Sequence, residues 1–229
     1  MKLSEVAGLV AKLRPPILDG LSPSELTLVL ARARLLHFPT SAVITKQGQP
    51  ANHLYLVLAG GARSFHVIAG GQKLHIQWLF PGAVFGGLAL IARPSNYATS
   101  TEATHDTHTL VWDRDTARGL MQRFPQLSDN ALTMTSSYLT LLVTTQVALS
   151  AHTARQRLAH TLLHLASSIG HSIDGKIEIL IGNEDLALSA SITPFTASRI
   201  LQEWDRKDLI KKGRGKVVVL APEKLLLES

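Results

Sequence analysis

Hydrophobic and polar positions change their rhythm several times along the chain, and each rhythm predicts a different kind of element. Residues 1–34 carry helical spacing, with Ser22-Pro23-Ser24-Glu25 as a helix start ahead of Leu26, Val29 and Leu30. From about 35 to 112 short apolar or alternating runs follow one another at roughly ten-residue intervals: "AVITKQG", "HLYLVLAGG", "ARSFHVIAGG", "LHIQWLFPG", "ATSTEATHDT" and "HTLVW". Turn residues separate them, Gly60-Gly61 and Gly70-Gly71 most clearly, since glycine takes positive φ without strain. Strands of this kind predict an antiparallel barrel or jelly roll.

The next rhythm is that of one long helix. Leu127, Met134, Leu141 and Ala148 recur every seven residues, with Ala131, Tyr138 and Thr145 at the companion positions. Leu132, Leu139, Leu142, Val143 and Leu149 widen the stripe beyond a coiled-coil seam. A helix this apolar does not stand alone. One side is expected to pack on the barrel and the other to pair with a second copy of itself, through Leu127, Met134, Tyr138, Leu141, Thr145 and Ala148. From Asn130 to Ala154 the chain has no Asp, Glu, Lys or Arg, yet Thr, Ser and Gln interrupt it and no run of about 18 apolar residues exists. A buried helix is expected there, not a membrane span.

After a break at Ser150-Ala151-His152 come a second helix, "TARQRLAHTLLHLASSI", a short strand, "KIEILI", and two short helices between Asn183 and about Lys207. A hairpin of "LIKK" and "KVVVL", turned by Gly213-Arg214-Gly215, closes the chain. In the two-helix segment Asn183 is expected as the first cap, with Glu184 and Asp185 near the positive helix end, and Leu186, Ala187 and Ala190 as the contact face. Ser191-Ile192 makes the turn. Thr193 caps the next helix, with Pro194 at its first position, where a missing N–H costs nothing. Ala197, Ile200, Leu201 and Trp204 then share one face, and Phe195, Ser198, Arg199 and Gln202 the other.

Composition narrows the chemistry. The 229 residues include no cysteine, which excludes thiolate-held iron–sulfur clusters, zinc–thiolate sites, disulfides and cysteine nucleophiles, and fits a reducing, cytoplasmic setting. The start, "MKLSEVAGLVAKLRPP", does not read as a signal peptide. The net charge of +6 is concentrated: between Arg199 and Lys216 lie seven basic residues against three acidic ones. A basic end points to a polyanion partner.

Two short helices, a tight turn and a basic hairpin make a winged helix–turn–helix, which explains the outward face of the second helix. Arg199 can offer two donors to guanine O6 and N7, Ser198 can bond a base or a phosphate, Phe195 can touch a thymine methyl, and Gln202 lies on the same row. Thr193, Thr196 and the wing cations Lys212, Arg214 and Lys216 are expected to hold phosphates.

On these residues the chain resembles the Crp/Fnr superfamily of bacterial transcription regulators. The sensor signature stands as "ITKQGQPANHLYLVLAGGAR" and "PGAVFGGLALIARPSNYATSTEA", and the DNA-binding signature as "LALSASITPFTASRILQEW". The resemblance implies an α+β chain. Residues 1–126 would form a cyclic-nucleotide-binding-like β-roll (a double-stranded β-helix), residues 127–150 a dimerisation helix, and residues 151–229 the winged helix–turn–helix. It also implies a homodimer on a pseudo-palindromic operator of double-stranded DNA, with RNA polymerase as a further partner of an activator, and no membrane. Arg199 matches the family's base-reading arginine and Ser198 the serine before it. Phe195 stands where a base-reading glutamate is usual, so the operator is expected to differ from the commonest family sequences.

The sensor departs further. Cyclic-nucleotide binders carry a glutamate after "FG" for the ribose and an Arg-Ser or Arg-Thr pair for the phosphate, whereas this chain has Gly87 and Asn96-Tyr97. An effector pocket made by Gly86, Gly87, Leu88, Asn96, Tyr97 and Tyr138 is therefore expected not to take cyclic AMP or cyclic GMP, unless Arg93 fills the phosphate role. No cofactor is predicted, though the β-roll histidines His66, His75, His105 and His108 leave haem open, and His160 with His164 leaves a metal open. A cupin-type enzyme is the rival reading. Its metal site needs clustered His and Glu, and Glu102, His105 and His108 differ in strand phase unless "THDT" is a turn. No enzyme is expected.

Overall fold

The computed structural model describes residues 3–173 and 176–227. The chain forms two compact units that meet in sequence between Leu139 and Thr140. In the first, helix α1 (Leu3–Leu13), a 3-10 turn (Pro16–Leu18) and helix α2 (Pro23–Ala31) precede the strands. The α2 start is the one written in the sequence. Glu25 N–H donates to Ser22 Oγ at 3.4 Å, and Glu25 Oε2 accepts from Ser22 N–H at 2.8 Å, which satisfies two orphan donors reciprocally.

Strands β1 (Arg34–Phe38), β2 (Val43–Thr45), β3 (His53–Ala59), β4 (Ala62–Val67), β5 (Lys73–Leu79), β6 (Val84–Phe85), β7 (Ser100–Ala103) and β8 (Thr107–Asp113) form two antiparallel sheets, ordered β1-β8-β3-β6 and β2-β7-β4-β5. Strand β3 reads as a continuous apolar run because both its faces are covered. Leu54, Leu56 and Leu58 join a core with Val6, Val10, Val29, Leu30 and Trp112, beneath the helices. Tyr55 and Val57 point the other way, into the roll, with Phe85, Tyr97 and Val111. Gly60 makes the β3–β4 turn at φ +80°, where a Cβ would come within 2.3 Å of the Asp106 carbonyl. No other residue fits there.

Helix α3 (Arg114–Arg123), capped by the Asp113 carboxylate, leads into α4 (Pro125–Ala151), which continues past the unit boundary. The heptad reading of α4 needs correction. Leu127, expected in an intersubunit seam, is 5% exposed in its own sensor core, and Ala131 and Met134 pack against that core. Tyr138 on the same row is half-buried. The large apolar side chains left bare are Leu132, Leu139, Leu141, Leu142, Val143, Val147 and Leu149. Leu132, Leu139 and Val143 lie roughly 140–180° around the helix from Met134. Thr135, Ser137, Thr144 and Ser150 each bond a carbonyl one turn back, which is how hydroxyls are accommodated in this uncharged helix. No described helix is long and apolar enough to cross a membrane.

The second unit contains α5 (Ala154–Ile169), β9 (His171–Ile173), β10 (Lys176–Ile179), α6 (Asn183–Ser189), α7 (Pro194–Arg206), β11 (Ile210–Gly213), β12 (Lys216–Val219) and α8 (Pro222–Leu227). The strands form one antiparallel sheet, β11-β12-β10-β9. Helix α5 opens on a second reciprocal cap, Thr153 with Gln156. Leu158, Leu162, Ile179, Leu186, Trp204 and Ile210 are fully buried among these elements.

Candidate nucleic-acid interface and sensor pocket

The N-cap of α6 is Gly182, not Asn183. Asn183 occupies the first helical position, and its Nδ2 donates to the Pro194 carbonyl at 3.0 Å, so it ties the start of α6 to the start of α7. Between the helices Ser191 takes φ +52° and makes the tight turn. Thr193 caps α7 as expected, accepting from Thr196 N–H at 3.1 Å, with Pro194 in the first turn. The two threonine hydroxyls lie 2.9 Å apart. One donates to the other, which leaves one O–H free to meet a phosphate oxygen.

Helix α7 divides as its pattern predicts. Ala197, Ile200, Leu201 and Trp204 are at most 2% exposed, whereas Phe195 is 78% exposed and Arg199 and Gln202 are exposed beside it. An aromatic ring held in water at a helix N-terminus gains nothing for folding. Arg199 makes no hydrogen bond or ion pair with any described residue. Its neighbour one turn on, Glu203, is engaged by Arg155, and that bond holds the Glu203 carboxyl below the usual range. Five guanidinium donors therefore face outward unspent.

The wing is less uniform than its charge implied. Lys212 Nζ reaches Ser198 Oγ at 3.2 Å, linking wing to recognition helix and holding the serine hydroxyl in place. Arg214 is exposed at the hairpin tip, next to Gly215 at φ +70°. Lys216 is ion-paired to Glu178 at 2.6 Å, so its charge is largely answered within the protein. Lys211 pairs with Asp208 at 2.7 Å.

In the sensor unit the strand β6 runs into Gly86, at φ +80°, and a 3-10 turn, Gly87–Leu90. A Cβ on Gly86 would meet the His53 carbonyl at 2.5 Å, so glycine is required there. At Gly87 a Cβ would meet nothing within 4 Å; packing does not forbid a carboxylate at this position, and the chain simply has none. Asn96 is exposed and bridges Pro50. Tyr97 turns inward and is 9% exposed among Ala51, Tyr55, Phe85 and Val111, with Leu88 against the cluster. Tyr55 stacks on Phe85 at 4.6 Å between ring centroids. Burial pushes the Tyr97 phenol up, so it is neutral and offers no charge to an anion. Arg93 is exposed on the following loop. An apolar void of about 30 Å³ beneath the turn is lined by Leu90 together with Ile17, Trp112 and Leu127, and an open depression of about 250 Å³ is lined by Leu9, Leu35, His37, Ala59 and His108.

Two residues that the sequence did not single out hold this loop. Arg114 donates to the carbonyls of Ala89, Ile91 and Ala92 at 2.7–2.9 Å, and Arg118 to those of Ile91 and Ala92 at 2.7 and 2.8 Å. Two arginines four apart on a helix were the only sequence signal. The histidines are dispersed. His66 bonds the Ala98 carbonyl, His75 is half-buried against Trp78, and His108 lies across from His37 with ring centroids 4.8 Å apart. His105 sits in the turn that joins β7 to β8, which is the "THDT" segment, and Glu102 is taken up by Arg63 and Lys73. His160 stacks on His152 with ring centroids 5.1 Å apart.

Residues 35–124 match the cyclic nucleotide-binding domain, and residues 156–227 the Crp-like helix–turn–helix domain. The chain is 30% identical over 215 residues to the cyclic AMP receptor protein of Thermus thermophilus, covering 93% of this chain and 95% of that protein. The structure of FixK2 from Bradyrhizobium japonicum superposes with a TM-score of 0.75 at 22% identity, covering 84% of this chain and 95% of that one. The catabolite activator protein of Thermus thermophilus superposes with a TM-score of 0.54 at 28% identity, over 93% of this chain and 99% of that one. With a β-roll, a long helix and an outward-facing recognition helix in one chain, and relatives matched over almost its whole length, the protein belongs to the Crp/Fnr family of DNA-binding transcriptional regulators.

Proposed function

We propose that this regulator reads a pseudo-palindromic operator as a homodimer, in the bacterial cytoplasm, and that its sensor answers to something other than cyclic AMP or cyclic GMP. Residues 1–126 carry the sensor, 127–150 the dimerisation helix and 151–229 the DNA reader. The observation that carries the reading is the outward row of α7: Phe195, Arg199 and Gln202 are exposed, and Arg199 makes no hydrogen bond or ion pair with any described residue. Arg199 suits guanine, Phe195 a thymine methyl, and Lys212 and Arg214 the flanking phosphates. The bare apolar side chains Leu132, Leu139, Val143 and Val147, on the side of α4 away from Met134, supply the face for the second copy. Two reading heads would then sit about one DNA turn apart, roughly 34 Å. An activator of this form would also meet RNA polymerase.

The sensor reading rests on chemistry. A cyclic phosphate taken from water needs charge-assisted donors, or its desolvation goes unrepaid. Gly87 and Asn96 bring no charge, and the Tyr97 ring is packed into the core of the roll with Tyr55 and Phe85. The Thermus relative's name records cyclic AMP for that protein.

Selection of binding sites from random duplexes by the full chain tests the main claim. A two-fold symmetric consensus, with its half-sites one turn apart, is the expected outcome. Recovery of unrelated sequences overturns it.

A further inference from the structure

The helix–turn–helix is gripped from outside by one side chain that none of the motifs includes. Arg157, in the first turn of α5, donates through Nη1 to the His152 carbonyl at 2.8 Å, through Nε to the Ala190 carbonyl at 3.1 Å, and through Nη2 to the Ser191 carbonyl at 3.4 Å. His152 belongs to the elbow between α4 and α5, and its own N–H bonds back to Ala148 of α4 at 2.9 Å. Ala190 and Ser191 are the turn between α6 and α7, and Ser191 is its residue at positive φ.

We infer that Arg157 is a positioning residue for DNA reading, the strut that sets the recognition helix relative to the α4–α5 elbow; the inference rests on the DNA-reading role proposed above. Helix ends leave carbonyls without intrahelical partners, and those at the end of α6 are answered here by a cation, which the helix dipole also favours. The guanidinium spreads its donors over three nitrogens, one for each of three carbonyls from two segments, whereas a lysine ammonium donates from a single point. The same turn of α5 reaches the far end of α7, because Arg155 engages Glu203 and lies over the Trp204 ring. Thr153–Arg157 thus holds the turn and the recognition helix together, and a shift of the His152 carbonyl is carried to Ser191 and on to Thr193. Arg157 itself touches neither base nor phosphate in this scheme.

Binding of the full chain to its selected operator and to random duplex, by fluorescence anisotropy, tests this with Arg157→Gln, Arg157→Lys, Arg199→Ala and the Arg157→Gln/Arg199→Ala pair. Arg157→Gln is expected to cut the operator-to-random affinity ratio roughly tenfold, with Arg157→Lys between it and wild type and with an unchanged salt slope on random DNA. In the Arg199→Ala background the same change should move the ratio less than about twofold, because the base-reading group it positions is already gone. Retention of the full ratio by Arg157→Gln, or an equal loss with and without Arg199, overturns the inference. Should Arg157→Gln fail to fold, Arg157→Lys decides, and a wild-type ratio in that variant also overturns it. A wild-type chain with no operator preference removes the DNA-reading proposal itself, and the strut with it.

Discussion

The Tyr97 hydroxyl donates to the His53 carbonyl and accepts from the His53 N–H, both at 3.1 Å, so one side chain closes both main-chain groups of the strand that leads into the roll. Its backbone is fixed as well, with N–H to the Gln49 carbonyl at 2.8 Å and C=O to the Gly48 N–H at 2.9 Å. An aromatic side chain anchored through both its hydroxyl and its backbone belongs to the core of the roll. Tyr97→Ala is expected to cost about 3–5 kcal/mol of stability, and Tyr97→Phe about 1–3 through the unpaired His53 groups, read by chemical denaturation.

Calorimetry with cyclic AMP and with cyclic GMP should give no heat on the wild-type chain. Micromolar binding that Arg93→Ala abolishes would place the phosphate on the loop after the 3-10 turn and overturn the reading.

Arg199→Ala should weaken operator binding by about 1–3 kcal/mol and relax preference at one base pair per half-site. Lys212→Ala should weaken every duplex alike and lower the salt slope by about 0.9 for each phosphate left without its lysine. Lys216→Ala should have the smaller effect of the two wing lysines, since Glu178 already answers its charge at 2.6 Å. Titrations at several salt concentrations separate the three, and an equal loss for Arg199→Ala on random DNA would make that residue a phosphate anchor only.

The two sides of α4 should respond differently to the same substitution. Leu139→Asp, on the bare side at 61% exposure, is expected to yield monomers in sedimentation with little loss of Tm. Leu127→Asp, in the sensor core, is expected to unfold that unit. A Leu139→Asp dimer would mean that the copies meet elsewhere.

His75 has a buried Nδ1 with no partner among the described residues, lies 4.9 Å from Trp78 between ring centroids, and has its pKa pushed down to about 4, by burial first and the Arg63 charge second. The folded state therefore favours the neutral ring. Its contribution is fully present above pH 6.5, the ordinary value, and is lost as pH falls from there to about 4. The loss is at most about 3 kcal/mol, and His75→Phe should flatten stability across that window in denaturant titrations.

The sequence by itself determined most of what depends on neighbours along the chain. Ser22 with Glu25 and Thr193 with Pro194 announce helix starts because capping is local, and the two faces of α7 follow from helical spacing alone. The β-roll was legible from spaced glycines and alternating runs, and the DNA-reading row from the same α7 pattern. The tertiary structure decided what depends on competition between partners. Helix α4 is apolar around most of its circumference, so periodicity does not say which side its own core takes; Leu127 and Met134 went to that core and left Leu132, Leu139 and Val143 bare. Asn183 had the right chemistry for a cap but was drawn to the Pro194 carbonyl instead. Arg114, Arg118 and Arg157 bond main-chain carbonyls, and every residue has one. An acceptor that carries no side-chain identity leaves no mark in the sequence, so only folding shows which carbonyls come within reach of a guanidinium.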